Sequence, residues 1–222
     1  MAILVLPAML FPVVPGRVAI AAAPVAPDES AVSTGSWFCS RYAQAAAAGG
    51  GGPAADVMSA VRSFARGYVY GVSDAVGKPF PETAGNGRRI TELMGSSCSQ
   101  DPARAVRDAS LLAGRAMLED TRSAEGSPAP DAIGMLACSA YLDTSGSAQA
   151  PARMRAEARV ELHEWADGYI HARFERAGRG LIPTARNKAL MLDRFAAACA
   201  ANPAATVREA ARSVAGATIP PR

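Results

Sequence analysis

The chain has few of the residues that most often carry catalysis. Its 222 residues include two histidines and four cysteines, and they form neither a nucleophile elbow nor a cysteine–histidine arrangement. The four glycines at residues 49–52 are not followed by the Lys-Ser or Lys-Thr of a phosphate-binding loop. The sequence therefore predicts no enzyme activity, no catalytic residue and no cofactor.

The histidines are poorly spaced for a metal. His163 and His171 stand eight residues apart, with Asp167 between them. The zinc-binding histidines of a metalloprotease helix are four residues apart and share one face. We therefore expect a surface pair of histidines and no metal ligand.

No segment concentrates positive charge. The 23 lysines and arginines are interspersed among 20 acidic residues, for a formal charge of +3. No zinc-ligand spacing or aromatic-stacking motif accompanies them. This pattern is typical of a solvated surface, and nucleic acid is not an expected partner.

Aromatic residues are also scarce, at 6% of the chain. Hydrophobic residues nevertheless make up 50%, and many are alanine, the best intrinsic helix former. The composition therefore favours closely packed helices, in one large or two small domains.

Beyond the N-terminus the sequence has no apolar run long enough to span a bilayer. Residues 1–26 are apolar, then rich in small residues, and Ala19-Ile20-Ala21 offers a cleavage site before Ala22. This segment is predicted to be a secretory signal, although no basic residue precedes the run and three prolines interrupt it. The alternative is a disordered apolar tail on a cytosolic protein.

The rest of the chain contains an internal repeat. Cys39-Ser-Arg-Tyr matches Cys138-Ser-Ala-Tyr, and Cys98-Ser-Gln-Asp-Pro matches Cys199-Ala-Ala-Asn-Pro. The second of these matches has an offset of 101 residues. Two further matches have the same offset: Phe64-Ala-Arg-Gly-Tyr with Trp165-Ala-Asp-Gly-Tyr, and Val106-Arg-Asp-Ala with Val207-Arg-Glu-Ala. Several ordered matches indicate a duplication, with modules at 33–122 and 131–216 and a linker at 123–130.

Apolar spacing predicts an all-α fold, with no convincing strand. Steps of three and four place one set of residues on a single helix face in each module: Val57, Val61, Phe64, Tyr68 and Val72, then Met154, Ala158, Leu162, Trp165 and Tyr169. We interpret their aromatics first as core and second as a ligand site. Further helices are predicted near 37–48, 88–99, 132–142 and 184–200.

Asp101-Pro102 and Asn202-Pro203 are predicted to open the last helix of each module. A short polar side chain can cap free N–H groups, and proline fits the first helical position because it has no donor to leave unpaired.

The four cysteines predict covalent closure. Their even number and repeated spacing favour pairing, and one bridge in each module would join its first helix to its third. Crossed pairing between modules and four free buried thiols remain alternatives.

This constellation resembles the HdeA/HdeB family of periplasmic acid-stress chaperones. The likeness rests on Trp37-Phe-Cys-Ser-Arg-Tyr, on Trp165-Ala-Asp-Gly-Tyr in the central helix, and on Cys199-Ala-Ala-Asn-Pro before the last helix. It covers residues 37–214 as two tandem modules of about four helices, whereas the family pattern has one module.

The resemblance implies a periplasmic protein that loosens in acid and binds unfolded clients through apolar surface. It implies disulfides Cys39–Cys98 and Cys138–Cys199, and a homodimer or an intramolecular pseudo-dimer. The candidate client-binding or core aromatics are Trp37, Phe64, Tyr68, Trp165 and Tyr169. Trp37 has no aromatic counterpart, since Leu136 occupies that position in the second module.

Another resemblance supports a different class of function. Residues 67–75, GYVYGVSDA, are similar to the GYxxGxxDA pattern of periplasmic Rap1a/Tai-type immunity proteins, and the pattern is clear only in the first module. It implies a protein that binds one secreted toxin at neutral pH. An exported structural protein is a third alternative.

Overall fold

The computed structural model describes residues 32–49, 51–146 and 152–217. The predicted signal segment at 1–26 lies outside these ranges. So does the side chain of Met154, although its backbone belongs to a described helix.

The described chain is all-α and has two four-helix modules. The first contains α1 (Cys39–Ala47), α2 (Pro53–Ala75), α3 (Ala84–Gln100) and α4 (Val106–Glu119). The second contains α5 (Cys138–Gly146), α6 (Ala152–Arg176), α7 (Ala185–Ala201) and α8 (Val207–Gly216). None of the helices in these ranges is both long and apolar enough to cross a membrane.

Each module is closed by one disulfide, as predicted. Cys39–Cys98 joins the start of α1 to the end of α3, and Cys138–Cys199 joins α5 to α7 in the same way. The alternatives of crossed pairing and free thiols are therefore wrong.

Backbone hydrogen bonds repeat this closure in both modules. In the first, the N–H of Cys39 donates to the carbonyl of Arg104 at 2.8 Å and that of Val106 to Trp37 at 2.8 Å. In the second, Cys138 donates to Ala205 at 2.7 Å and Val207 to Leu136 at 2.8 Å. These short antiparallel contacts hold the segment before the first helix against the start of the last one.

The last helices do not begin at the Asp-Pro and Asn-Pro pairs. Asp101 and Asn202 instead follow the final residues of α3 and α7, and the next helices start at Val106 and Val207. The physical reason is that a residue before proline is driven out of the helical region, so the pair ends a helix. The Asp101 side chain accepts from the N–H of Ala103 at 3.2 Å and stabilises the turn.

Threonines cap three of the helices. Thr83 accepts from the N–H of Asn86 at 2.9 Å, and Thr184 accepts from Asn187 at 3.2 Å at the equivalent place. Thr206 opens α8 with a capping box to Glu209.

Candidate functional site

The two modules meet along α2 and α6, the longest helices, with 23 and 25 residues. The faces that show the three-and-four spacing in the sequence point at each other. Equivalent residues of the two helices are buried there, namely Val61, Phe64, Tyr68 and Val69 in α2 and Leu162, Trp165, Tyr169 and Ile170 in α6. Each module thus covers the apolar face of the other.

Two equivalent glycines allow the helix backbones to touch. A Cβ on Gly67 would lie 1.9 Å from the carbonyl oxygen of Trp165, and a Cβ on Gly168 would lie 2.1 Å from that of Phe64. No side chain fits at such distances. Because residues 101 positions apart exchange equivalent contacts, the helices cross about an approximate two-fold axis.

Four of the five candidate aromatics converge at this crossing. Trp165 stacks on Tyr169 with ring centroids 5.3 Å apart, and Phe64 stacks on Tyr68 at 6.0 Å. Trp37 is not among them. It is only partly buried, and the guanidinium of Arg41 lies 3.9 Å from the centre of its ring.

A carboxylate of the first module is bound by three groups of the second. Asp74 accepts hydrogen bonds from the Tyr169 hydroxyl and from Arg208 at 2.6 and 3.1 Å, and Arg212 lies 2.7 Å away. Burial by itself would raise the pKa of Asp74, but these donors outweigh it and lower the pKa from 3.8 to about 2.

The equivalent cluster lies at the other end of the crossing. The Tyr68 hydroxyl donates to Glu175, and Arg107 lies 3.5 Å from the same carboxylate. At the 101-residue offset of the repeat, Tyr68 is equivalent to Tyr169, Glu175 to Asp74 and Arg107 to Arg208. Each cluster therefore joins the two modules through a hydrogen bond from tyrosine and at least one ion pair with arginine.

The GYxxGxxDA residues form part of this interface. Gly67 and Gly71 pack against the backbone of α6, while Tyr68 and Asp74 contact the second module. The second module retains the glycine, the tyrosine and, as Glu175, the acid. The pattern therefore has a structural role at the helix crossing.

Four charged residues of the second module are buried beside the crossing. Glu164 pairs with Lys188 at 2.6 Å, and Asp167 pairs with His171 at 2.9 Å and accepts from Ser33 at 2.8 Å. Burial would lower the pKa of His171, but Asp167 outweighs it and raises the pKa. Burial raises the pKa of Glu164 despite Lys188.

The predicted surface histidine pair is wrong. His171 is 3% exposed because it lies on the face of α6 that packs on α2. His163 is half buried against the Tyr141 hydroxyl, 3.0 Å away, and burial lowers its pKa to about 4. Within the described ranges no three His, Cys, Asp or Glu side chains come together as a possible metal site.

Glu82 is a buried carboxylate in the loop before α3. It accepts from the N–H of Gly134 at 3.2 Å and lies 3.6 Å from Arg208. Burial raises its pKa to about 7, against the opposing effect of Arg208 and Gly134. Glu82 therefore responds to pH in the opposite direction to Asp74.

The charged contacts between the modules do not follow from any local pattern in the sequence. The 101-residue offset already relates Arg107 to Arg208 and Asp74 to Glu175. That offset could have marked them as a repeated set, but it carries no information on which residue faces which.

A scan of protein-family models, a search of curated proteins and a search of solved structures each found no match to this chain.

Proposed function

We propose that this chain is an exported, periplasmic acid-stress chaperone of the HdeA type. Its two modules separate in strong acid and bind unfolded proteins through the apolar faces of α2 and α6. The observation that carries the proposal is that these faces are joined across the modules by carboxylate clusters, while both disulfides lie inside modules.

Asp74 supplies the acid sensitivity. A group whose pKa is lower in the folded than in the unfolded state stabilises the fold above its unfolded pKa. For Asp74 this contribution is present above about 4 and is lost as pH falls toward 2. Protonating the carboxylates and histidines also moves the formal charge from +3 toward about +25, so the modules repel each other.

Other buried groups set how acidic the medium must be. Glu82, Glu164 and His171 have raised pKa values, so their contributions to stability depend on pH in the opposite direction to that of Asp74. Each contributes stability below its unfolded pKa, and this contribution is lost as pH rises. These groups favour the closed state in mild acid. Separation is therefore expected near the pKa of Asp74 and not around pH 5.

The disulfides keep each opened module from unravelling. The chain-entropy estimate for a closed loop of 59 or 61 residues is about 4 kcal/mol per bridge. Disulfides also persist mainly in oxidising compartments, which supports an exported protein.

The test measures light scattering from a denaturable client held at pH 2, with the oxidised protein and with a reduced and alkylated control. We expect suppression by the oxidised form only, together with new binding of an apolar dye between pH 4 and 2. Failure of the oxidised protein to suppress scattering would contradict the proposal.

A second candidate is an exported binding protein that neutralises one secreted toxin, as the Rap1a/Tai resemblance implies. The observation in its favour is that Phe38 and Ile182 are 62% and 69% exposed in the closed state, where they can serve as anchors at neutral pH. Tight one-to-one binding at pH 7, lost in Phe38→Ala or Ile182→Ala, would favour this candidate over the chaperone.

A further inference from the structure

A cavity of about 260 Å³ opens between α2, the loop before α3 and the start of the second module. Its charged lining residues are Arg66, Glu82, Arg88 and Asp131. Tyr70, Trp165 and Ile133 contribute apolar surface.

The duplication provides an internal comparison for this cavity. At the equivalent place in the second module, Glu164 and Lys188 form a buried ion pair and Asp167 pairs with His171. In the first module, Ser63 and Gly87 stand in place of Glu164 and Lys188. Arg66 and Tyr70 stand in place of Asp167 and His171. The second module therefore pairs four charged side chains at this place, whereas the first has serine and glycine in place of the long side chains of Glu164 and Lys188.

Two polar atoms beside the space lack hydrogen-bond partners. They are Nε of Arg66 and Oε1 of Glu82, both buried. Among the described residues no carboxylate lies within 4.0 Å of Arg66. Oε1 of Glu82 has only Arg208, at 3.6 Å. A buried donor or acceptor without a partner is destabilising, so a ligand that supplies the missing partners is favoured.

Gly87 is part of the same arrangement. A Cβ there would lie 3.5 Å from Nε of Arg66, so the guanidinium rests directly over the glycine. A longer side chain at this position, such as the lysine of the second module, would compete with Arg66 for the cavity.

We propose that this cavity binds a free apolar α-amino acid, whose carboxylate pairs with Arg66, whose ammonium group pairs with Glu82, and whose side chain lies against Ile133. The lining has two cations and two carboxylates, which suits a zwitterion better than a simple anion or cation. The site is formed by the closed modules and does not depend on their separation in acid.

The experiment is calorimetric titration of the oxidised full chain with L-leucine and D-leucine at pH 8. Glu82 is ionised there because burial raises its pKa only to about 7. Two matched ligands each lack one charged group: 4-methylpentanoate lacks the amine, and 3-methylbutylamine lacks the carboxylate. We expect saturable binding of at least one leucine enantiomer, and binding at least about tenfold weaker for both analogues.

Variants locate the binding. Arg66→Met and Glu82→Gln are each expected to weaken leucine binding about tenfold or more, since each loses a charge-assisted hydrogen bond. Arg62→Met is the control, because Arg62 lies one turn earlier on α2 and lines a neighbouring cavity but not this one. The proposal is overturned if neither enantiomer binds, if 4-methylpentanoate or 3-methylbutylamine binds as tightly as leucine, or if Arg66→Met binds as the wild type does.

Discussion

Asp74 shows how much of the interface depends on a single side chain. Its two carboxylate oxygens are shared by Tyr169, Arg208 and Arg212, all from the second module. Its side chain is 3% exposed, so solvent screens these contacts little. Removing the charge would leave Arg208, whose side chain is 12% exposed, without its carboxylate partner, which costs more than the loss of one hydrogen bond between neutral groups.

We expect Asp74→Asn to lower stability at pH 7 and to flatten its dependence on acid. The wild type loses the contribution of Asp74 as pH falls from about 4 toward 2, whereas the variant has no such contribution to lose. Urea unfolding followed by circular dichroism at pH 7, 4 and 2 measures the difference.

Asp120→Asn is the matched control. Asp120 also pairs with an arginine, Arg122 at 3.1 Å, but the pair is exposed and lies within the first module. Solvent screens such an exposed pair, so this variant should follow the wild type. An Asp74→Asn profile parallel to that of the wild type would contradict the assigned role of Asp74.

At the scale of elements, the crossing of α2 and α6 decides how the modules meet. Glycine is a poor helix former, costing roughly 1 kcal/mol relative to alanine inside a helix. Both long helices nevertheless carry one at the crossing, Gly67 and Gly168, where the partner backbone leaves no room for a Cβ. The close approach brings the flanking aromatics into contact, so packing outweighs the helix propensity.

Gly67→Ala is therefore expected to destabilise the protein, against the trend of helix propensity. Its Cβ would meet backbone atoms of α6, which cannot rotate away as a side chain can, and overpacking of this kind costs about 1–3 kcal/mol or more. The urea midpoint at pH 7 should fall.

The control for this substitution is Gly85→Ala in α3. The nearest atom to a Cβ there is the Thr83 hydroxyl oxygen at 3.6 Å, an ordinary contact. This variant should be neutral or stabilised by up to about 1 kcal/mol. Equal urea midpoints for the two variants would refute the close crossing.

At the scale of the whole molecule, covalent and non-covalent links have separate places. Each disulfide closes a module, and the contact between modules is made by packing and ion pairs around α2 and α6. The chain joins the modules through residues 123–130, in which Gly126 and Ser127 are exposed. The modules can therefore separate without breaking any covalent bond, and the linker would still tether them.

Cleavage at a protease site inserted between Gly126 and Ser127 should leave the halves associated at pH 7. Burial of the apolar faces of α2 and α6 supplies the attraction, and the linker only raises the effective concentration of one module near the other. Size-exclusion chromatography should give one peak at pH 7 and two smaller species at pH 2. Two separated halves at pH 7 would show that the linker, not the interface, holds the modules together.

Local patterns predicted the secondary structure well, and failures occurred where neighbours decide. The helical spacing of Phe64, Tyr68 and Trp165 marks a buried face whatever covers it. The Asp101-Pro102 pair fits both the start and the end of a helix, and the contacts of the following segment with α1 place it at the end. The spacing of His163 and His171 argues against a metal site but does not reveal that His171 pairs with Asp167 on a buried face.

The sequence by itself determined that this protein is helical and duplicated, with four regularly spaced cysteines that favour pairing, because spacing and repetition are properties of the chain read along its length. Only the tertiary structure decided that each disulfide closes its own module and that Asp74 faces Tyr169 and Arg208, which are 95 and 134 residues away. A periodic pattern identifies a face to be buried. The partner of that face is selected by three-dimensional packing, in which the two glycines set the distance and the charged clusters set the orientation.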